Sequence, residues 1–410
     1  MNIAWLGVGK LGRPCAEEMA KKGHSVNGYD LQRIKSPYIL QFPTIESAVK
    51  NADIVFVAVP TPHHEAYDGR NPTAHLEPKD FDYSIVCSVI EEANRYMNKN
   101  QLLVLISTVL PGTVRREIVP LVTNTRFVYN PYLIAMGSVA WDMVNPEMVI
   151  IGTDNGSETG DAKQLVDFYK TIMENDPRYV VGTWDECECI KVFYNTWIST
   201  KIGLSNMILD VAERQGNINV DVVTEALAGS TMRIMGPQYM RAGMGDGGGC
   251  HPRDNIALRY MAQELGLGYD LFDAIMNARE IQARNLAARL ADIANEKNLQ
   301  IYIHGKAYKP SVEYLDGSYS LLVGHYCEQF GFAPIYIDPL TGDNTQPIEP
   351  GVFMLAHSPS TTYRYTHSRH DDHLYCEIPS GSVVVDPWRK FTTNKKDIEV
   401  IHYGNTRTLG

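Results

Sequence analysis

The segment Gly7-Val8-Gly9-Lys10-Leu11-Gly12 most constrains what this chain can fold into. It follows a short apolar run at residues 3–6 and opens a helical pattern that ends near Gly23. A strand, a glycine turn and a helix in that order predict the first half of a doubly wound α/β unit, because glycines permit the tight turn and let helix and strand pack closely. A second strand is predicted at residues 25–29, and Asp30 follows it directly.

The same segment predicts a dinucleotide site. Gly9 lets the backbone approach a pyrophosphate, and the helix N-terminus stabilises the phosphate charge. Asp30 is placed to accept hydrogen bonds from ribose hydroxyls and to repel a 2′-phosphate, so the predicted cofactor is NAD rather than NADP. Arg33 and Lys35 weaken that preference, and Lys35 is a further predicted cofactor contact. The alternative is a glycine turn without a dinucleotide.

The rest of the chain divides into three segments. Residues 1–184 alternate apolar runs with helical stretches, which is typical of a parallel sheet covered by helices. Residues 185–298 lose the strand pattern, and residues 186–215 predict one unusually long helix. Strand–helix alternation returns in residues 299–410. We therefore predict an α/β fold in which a central helical domain with a long helix joins two doubly wound Rossmann-like domains.

Cys250 is the candidate nucleophile. It ends the run Gly245-Asp246-Gly247-Gly248-Gly249-Cys250, where few side chains would keep a substrate carbon away. A cysteine that bonds to an aldehyde carbon allows oxidation beyond the aldehyde. The alternative is an inert buried thiol, a common state of free cysteine. Asp254, four residues on, is either a polar partner of Cys250 or a helix cap.

Lys191 and Asn195 are four residues apart on the predicted long helix, so they share one face. Lys191 is suited to stabilise a developing alkoxide or to transfer a proton, and Asn195 to orient a water or a hydroxyl. The alternative is a solvated helix face, which is the usual environment of a lysine.

Composition excludes several partners. The formal net charge of -11 argues against a nucleic-acid surface. No apolar run reaches the roughly 20 residues that span a bilayer, and a strand that begins at Asn2 leaves no room for a signal peptide. The 7 cysteines have no repeated spacing and predict reduced thiols. We predict a cytoplasmic protein with neither a nucleic-acid nor a membrane partner.

A histidine-rich segment and the long helix lead to two further predictions. His367, His370 and His373, with Asp371 and Asp372, lack the spacing of known zinc motifs, so no metal is predicted. The long helix is apolar enough to pack against a second copy, so a homodimer is predicted.

The motifs together resemble those of the UDP-glucose/GDP-mannose dehydrogenase family over nearly the whole chain. Besides the glycine turn and Asp30, the matching motifs are Val59-Pro60-Thr61-Pro62, Ser107-Thr108-Val109 with Pro111-Gly112-Thr113, Asn130-Pro131, Lys191 with Asn195, Gly247-Gly248-Gly249-Cys250 with Pro252 and Asp254, and Gly305-Lys306-Ala307-Tyr308-Lys309-Pro310. The resemblance implies that a nucleotide sugar, with UDP-glucose as the first choice, is oxidised at C6 to a carboxylate at the expense of two NAD.

The resemblance also implies roles for single residues. Cys250 matches the nucleophile, Thr108 matches a threonine that positions water, and Arg233 matches an arginine that reaches a substrate in the neighbouring subunit. The polar partners of the nucleophile are Lys191, Asn195 and Asp254. The remaining implied contacts are Pro60, Thr61 and Thr108 to the cofactor, and Tyr132, Lys191, Asn195, Gly247, Gly248, Tyr308 and Lys309 to the substrate.

Three departures from the family pattern affect these expectations. Tyr132 and Met136 stand where the family usually has two glutamates, so general-base assistance to hydrolysis is expected to be weaker. Asp316 replaces an arginine, the stretch from Asp30 to Ala52 is short, and residues 61–80 are long. The open alternatives are another nucleotide sugar (UDP-N-acetylmannosamine or GDP-mannose), a two-electron β-hydroxyacid-type dehydrogenase, and a non-catalytic nucleotide-sugar binder.

Overall fold

The computed structural model of this protein describes residues 1–33, 35–62, 80–135, 137–232, 234–236, 242–244, 250–310, 313–357 and 374–405. The chain forms two compact units, whose described residues belong to Met1–Lys201 and to Ile202–Thr408. Division into three segments at residues 184 and 298 stays a prediction. No helix in the described parts combines the length and the apolar character needed to cross a membrane.

The first unit contains an eight-stranded sheet. Its strands are β1 (Asn2–Leu6), β2 (Ser25–Tyr29), β3 (Leu40–Gln41), β4 (Ile54–Val57), β5 (Leu102–Leu105), β6 (Arg126–Tyr129), β7 (Met148–Thr153) and β8 (Arg178–Thr183). Their order is β3-β2-β1-β4-β5-β6-β7-β8, and every pair is parallel except β6 with β7. The first six strands therefore have the order of a dinucleotide-binding sheet, whose binding crevice lies where the order reverses.

Helices cover both faces of this sheet. They are α1 (Gly12–Lys21), α2 (Ile45–Val49), α3 (Ser84–Tyr96), α4 (Val139–Val144) and α5 (Gly160–Tyr169), and the short helical segment Val114–Ile118 follows β5. Trp5 packs in a core with α1, α4 and α5, whereas its neighbour Leu6 packs in a second core with α2 and α3. Both side chains are fully buried, as expected for a parallel strand with helices on either side.

The second unit combines helices with a five-stranded sheet. Helix α6 (Trp184–Gln215) runs from the first unit into the second, and α7 (Val220–Ala228), α8 (Cys250–Glu264), α9 (Leu271–Lys297) and α10 (Tyr319–Gln329) follow. The strands are β9 (Gln300–His304), β10 (Ile335–Ile337), β11 (Gly351–Leu355), β12 (Val383–Asp386) and β13 (Glu399–His402). They are all parallel, in the doubly wound order β10-β9-β11-β12-β13. The predicted α/β fold with its long helix is confirmed.

Helices α9 and α10 pack on one face of the second sheet. Leu286 and Leu290 of α9 and Val323 of α10 share a core with Ile303 and Met354 of the strands. On the other face the described core residues outside the strands come from non-helical segments, namely Cys376, Ile378 and Ile398. The apolar second half of α9 therefore belongs to the core of this sheet.

The closest approach of α1 to the preceding turn occurs at Gly12. A Cβ atom at this position would lie 2.0 Å from the Gly7 carbonyl oxygen, a separation that no side chain tolerates. At Gly9 an added Cβ would meet nothing within 4 Å. The packing of α1 on the turn therefore requires glycine at residue 12, whereas the space beside Gly9 is open.

We expect Gly12→Ala to lower the free energy of unfolding by about 1–3 kcal/mol, the usual cost of an overpacked contact. Gly9→Ala is the matched control, because the added methyl group enters open space and should change stability by less than about 0.5 kcal/mol. Urea unfolding of the two variants checks this difference. Equal midpoints for Gly12→Ala and the unsubstituted protein would contradict the close contact.

Candidate functional site

A cleft of about 910 Å³ opens in the first unit, at the carboxyl ends of the central strands. Its walls come from the glycine turn, the ends of β2, β4 and β5, helix α3 and the start of α6. The lining residues are Leu6, Gly7, Gly9, Lys10, Leu11, Gly12, Tyr29, Asp30, Leu31, Gln32, Ile45, Ala58, Val59, Pro60, Thr61, Ser84, Ile85, Ser88, Val89, Glu92, Ile106, Ser107, Thr108, Tyr132, Ile134 and Lys191.

The glycine turn presents its backbone to this cleft. Gly7 has φ +92°, and a Cβ there would lie 2.6 Å from the Ala58 carbonyl oxygen, so only glycine fits. Within the described residues no side chain caps the start of α1 at Leu11, and its first turn has no acidic group. The N–H groups of this helix N-terminus and the open space at Gly9 fit a pyrophosphate.

Asp30 is fixed beside the glycine turn. Its Oδ2 accepts a hydrogen bond from the Val8 N–H at 2.8 Å, and its Oδ1 accepts one from the Gln32 N–H at 2.9 Å. Each carboxylate oxygen has a further lone pair, so ribose hydroxyls can still donate to it. The Val8 side chain is buried, so Val8 takes part in this site through its backbone N–H. Lys35 is exposed and is not among the residues that line the cleft.

Lys191 and Thr108 line the cleft near the start of α6. The Lys191 Nζ donates to the Tyr132 carbonyl oxygen at 2.7 Å, and burial lowers the pKa of this ammonium group. The Thr61 hydroxyl donates to the Thr108 carbonyl oxygen at 2.7 Å, and the Ser107 hydroxyl donates to the Val59 carbonyl oxygen at 2.6 Å. These bonds join the loops that follow β4 and β5, so Thr108 has a defined position.

The Tyr132 side chain belongs to a buried chain of hydrogen bonds. Its hydroxyl lies 2.8 Å from the Tyr169 hydroxyl, which donates to the Asn130 Oδ1. The Asn130 Nδ2 in turn donates to the Ile150 carbonyl oxygen at 2.6 Å. Burial raises the pKa of the Tyr132 phenol well above its usual value. Tyr132 is therefore suited to hold Lys191 with its backbone carbonyl, and its phenol is no substitute for a carboxylate base.

Asn195 does not join Lys191 at the cleft. It lies four residues further along α6, its side chain is exposed, and it is not a lining residue. Tyr308 and Lys309 belong to the second unit. The Tyr308 N–H donates to the Tyr314 carbonyl oxygen at 3.0 Å, and the exposed Lys309 ammonium lies 5.2 Å from the centre of the Tyr308 ring.

Several predicted residues lie outside what the structure describes. Cys250 is the first residue of α8 and Asp254 lies one turn further, but the side chains of both are outside the described parts. The backbone is also outside them at Met136, Arg233, Gly247, Gly248, His367, His370, Asp371, Asp372 and His373.

Two groups of residues at or near the cleft were missed by the sequence analysis. The first is the α3 face formed by Ser84, Ser88 and Glu92, whose spacing of four was the available signal. The second is Glu188, fully buried one turn before Lys191. It accepts hydrogen bonds from the Gly112 and Val114 N–H groups, and burial raises the pKa of its carboxyl to about 7. The only feature of the sequence that points to Glu188 is its position three residues before the candidate lysine, Lys191.

Comparison with known sequences gives two family matches. The UDP-glucose/GDP-mannose dehydrogenase family, NAD binding domain, matches residues 32–173, and the central domain of the same family matches residues 185–280. The glycine turn precedes the first match, so its fit to the cofactor rests on the geometry above.

Two relatives illustrate the range of this similarity. The UDP-glucose 6-dehydrogenase of Rickettsia typhi is 25% identical over 343 residues, which are 76% of this chain and 75% of that protein. The GDP-mannose 6-dehydrogenase of Pseudomonas putida is 26% identical over 319 residues, which are 70% and 69% of the two chains.

A solved structure supports the fold. The GDP-mannose dehydrogenase of Pseudomonas aeruginosa, solved as a ternary complex, has a TM-score of 0.78 and 20% identity and covers 98% of this chain and 99% of that chain. The two family matches together span more than half of the 410 residues. The predicted family and the predicted cofactor, NAD, are therefore confirmed, and the chain belongs to the UDP-glucose/GDP-mannose dehydrogenase family.

Proposed function

We propose that this protein oxidises the C6 alcohol of a nucleotide sugar to a carboxylate, with UDP-glucose as the first substrate to test and UDP-glucuronate as the product. The observation that carries this proposal is the cleft of the first unit. It combines a glycine turn and Asp30, which fit a dinucleotide, with Thr108 and a half-buried Lys191, which fit acid–base chemistry on an alcohol.

The cofactor contacts follow from that cleft. The glycine turn and the start of α1 would hold the pyrophosphate of NAD, and Asp30 would hold its adenosine ribose. NAD supplies the hydride acceptor for both two-electron oxidations. Lys191 assists the first oxidation by accepting the alcohol proton or by stabilising the alkoxide. Burial lowers the pKa of its ammonium and so favours that proton transfer.

Cys250 is the proposed nucleophile for the second oxidation. Its sulfur bonds to the aldehyde carbon and gives a thiohemiacetal, which loses a hydride and a proton to become a thioester. Water then cleaves the carbon–sulfur bond and releases the carboxylate and the thiol. Cys250 is the first residue of a 15-residue helix, and a helix N-terminus stabilises the thiolate. Thr108, which lines the cleft, is proposed to hold the water together with Asn195 and Asp254, which are not among the lining residues.

A two-electron hydroxyacid dehydrogenase and a non-catalytic binder are the competing functions. The family membership favours nucleotide sugars over hydroxyacids, and the lowered pKa of Lys191 in the cleft favours a working dehydrogenase over a binder. Incubation with UDP-glucose, GDP-mannose and UDP-N-acetylmannosamine, with NADH counted per sugar, separates the functions. Two NADH per nucleotide sugar support the proposal. One or none with every sugar contradicts it.

The first prediction of this proposal concerns the choice of cofactor. Because Asp30 repels a 2′-phosphate, kcat/KM for NAD should exceed that for NADP by at least about tenfold, or ~1.4 kcal/mol. Asp30→Asn should reduce that ratio. Asp53→Asn removes the same charge from a carboxylate that accepts the Asn2 N–H at the opposite end of β1, and it should leave the ratio unchanged. Equal use of both cofactors by the unsubstituted protein would refute the role of Asp30.

The second prediction concerns the covalent step. With Tyr132 committed to a buried network, the hydrolytic water lacks part of the general-base help that is commonly worth about 10²–10⁴-fold. Hydrolysis should therefore limit turnover, and intact-protein mass spectrometry should detect an acyl adduct on Cys250. Cys250→Ala should abolish the adduct, whereas Cys189→Ala, which alters a partly exposed thiol on α6, should retain it. Formation of the acid with two NADH at a near-normal rate by Cys250→Ala would rule out the covalent mechanism.

The third prediction concerns assembly. A second copy is proposed to pack on α6, where Phe193 is 64% exposed and Trp197 is 54% exposed, and the partner's Arg233 is proposed to complete the substrate site. Sedimentation should show a dimer, and Arg233→Ala should raise KM for the sugar. A monomer with full activity would contradict both statements.

A further inference from the structure

Glu188 is a buried acid for which the proposed reaction has no use. It lies on α6 one turn before Lys191, with none of its surface exposed. Its Oε2 accepts a hydrogen bond from the Gly112 N–H at 2.6 Å, and its Oε1 accepts one from the Val114 N–H at 2.7 Å. Burying a carboxylate costs free energy, so the position of Glu188 requires an explanation.

The bonded amides belong to the segment that carries Thr108. This segment, residues 107–114, leaves β5, lines the cleft with Thr108 and turns back at Gly112, whose φ is +88°. Val114 begins the helical segment Val114–Ile118, and N–H groups at a helix start have no partner within their own helix. Glu188 supplies the missing acceptors from another element.

The other end of the same segment is held by the loop after β4. The Ser107 hydroxyl donates to the Val59 carbonyl oxygen at 2.6 Å, and the Thr61 hydroxyl donates to the Thr108 carbonyl oxygen at 2.7 Å. Thr108 therefore lies between two attachments. The one through Glu188 connects it to the helix that carries Lys191, whose Nζ is itself fixed on the Tyr132 carbonyl oxygen.

We propose that Glu188 is a positioning residue that fixes the distance between Thr108 and Lys191 by holding residues 112–114 on α6. The inference rests on the roles proposed above for Thr108 and Lys191. Only an ionised carboxylate offers an acceptor oxygen to each of two N–H groups. A glutamine has the same shape but would direct an amide NH₂ at one of them.

The ionisation of Glu188 makes this contact sensitive to pH. Burial raises the pKa of its carboxyl to about 7, although the two N–H groups oppose that shift. Protonation would turn one acceptor oxygen into a hydroxyl, which is a weaker acceptor, and so would weaken one of the two hydrogen bonds. Among the described residues, the charged and titratable groups that interact electrostatically with Glu188 are Arg115 and Tyr129 from other elements and Asp185, Cys187 and Cys189 from α6.

Acidification affects global stability and the local contact of Glu188 in opposite directions. This difference distinguishes a positioning role from a role in stability. The pKa of about 7 in the folded protein lies above the usual glutamate pKa of 4.5, so between these pH values the folded protein binds more protons than the unfolded chain. Acidification from pH 7 therefore increases the contribution of Glu188 to global stability while it weakens the local contact. A loss of activity near pH 6 with no loss of stability from this group is the signature of a positioning role.

Glu188→Gln is compared with Glu186→Gln, which makes the same substitution on the same helix. The Glu186 Oε2 accepts the Thr183 N–H at 2.8 Å near the start of the helix. We expect Glu188→Gln to lower kcat by about 10- to 100-fold, the usual effect of a misplacement of about 1 Å, with KM for NAD little changed. The unsubstituted protein and Glu186→Gln should lose kcat as the pH falls below about 7, and Glu188→Gln should lack this dependence.

Amide hydrogen exchange tests the same contact without a substitution and without turnover. In the unsubstituted protein, exchange in residues 107–114, corrected for the intrinsic effect of pH, should be faster at about pH 6 than at about pH 8. Equal corrected rates, or a kcat of Glu188→Gln within about twofold of normal, would overturn the inference. If no nucleotide sugar is oxidised, the proposed function fails, and the exchange experiment still decides the role of Glu188.

Discussion

The contact between Gly12 and the Gly7 carbonyl determines where the cofactor cleft lies. A Cβ at residue 12 would lie 2.0 Å from that oxygen. Because Gly12 has no Cβ, α1 can start close against the turn after β1. The start of α1 then faces the crevice at which the strand order reverses, between β1 and β4. Asp30 reinforces this arrangement, since one of its oxygens accepts the Val8 N–H of the turn itself.

Buried polar groups position the loops around the cleft. Parallel strands are held by backbone ladders and apolar cores, but the loops beyond their ends need other partners. Ser107 and Thr61 supply hydroxyl donors, Glu188 supplies two acceptors, and the Tyr132 carbonyl receives the Lys191 ammonium. The proposed reacting groups of the first unit, Thr108 and Lys191, are thus positioned by side-chain-to-backbone hydrogen bonds, which are specific in direction.

Tyr132 stands where the resemblance leads us to expect a glutamate, and both its side chain and its backbone make specific contacts. The phenol extends into the core and bonds to Tyr169, which bonds to Asn130, so the side chain stabilises the loop after β6. The backbone of the same residue still faces the cleft and holds Lys191. In the proposed mechanism Tyr132 thus keeps the lysine in place without supplying a carboxylate, which affects the proposed hydrolytic step more than the hydride transfers.

The sequence alone determined the elements and the cofactor turn. The bounds of β2 (Ser25–Tyr29) agree with those predicted, and the long helix begins two residues before the predicted start. Local periodicity and glycine placement are properties of short segments, so the sequence alone suffices for them. Strands β3 and β8 have little signal in the sequence, since β3 has only two residues and β8 lacks a continuous apolar run.

Only the tertiary structure decided which side chains meet at the cleft. Helical spacing placed Asn195 on the face of Lys191, but four residues advance a helix by about 6 Å, which carries Asn195 beyond the cleft. The antiparallel pairing of β6 with β7, the burial of the Tyr132 phenol and the role of Glu188 depend on residues 20–76 positions apart in the chain. Periodicity describes one element at a time, whereas these contacts arise only when elements distant in sequence pack together.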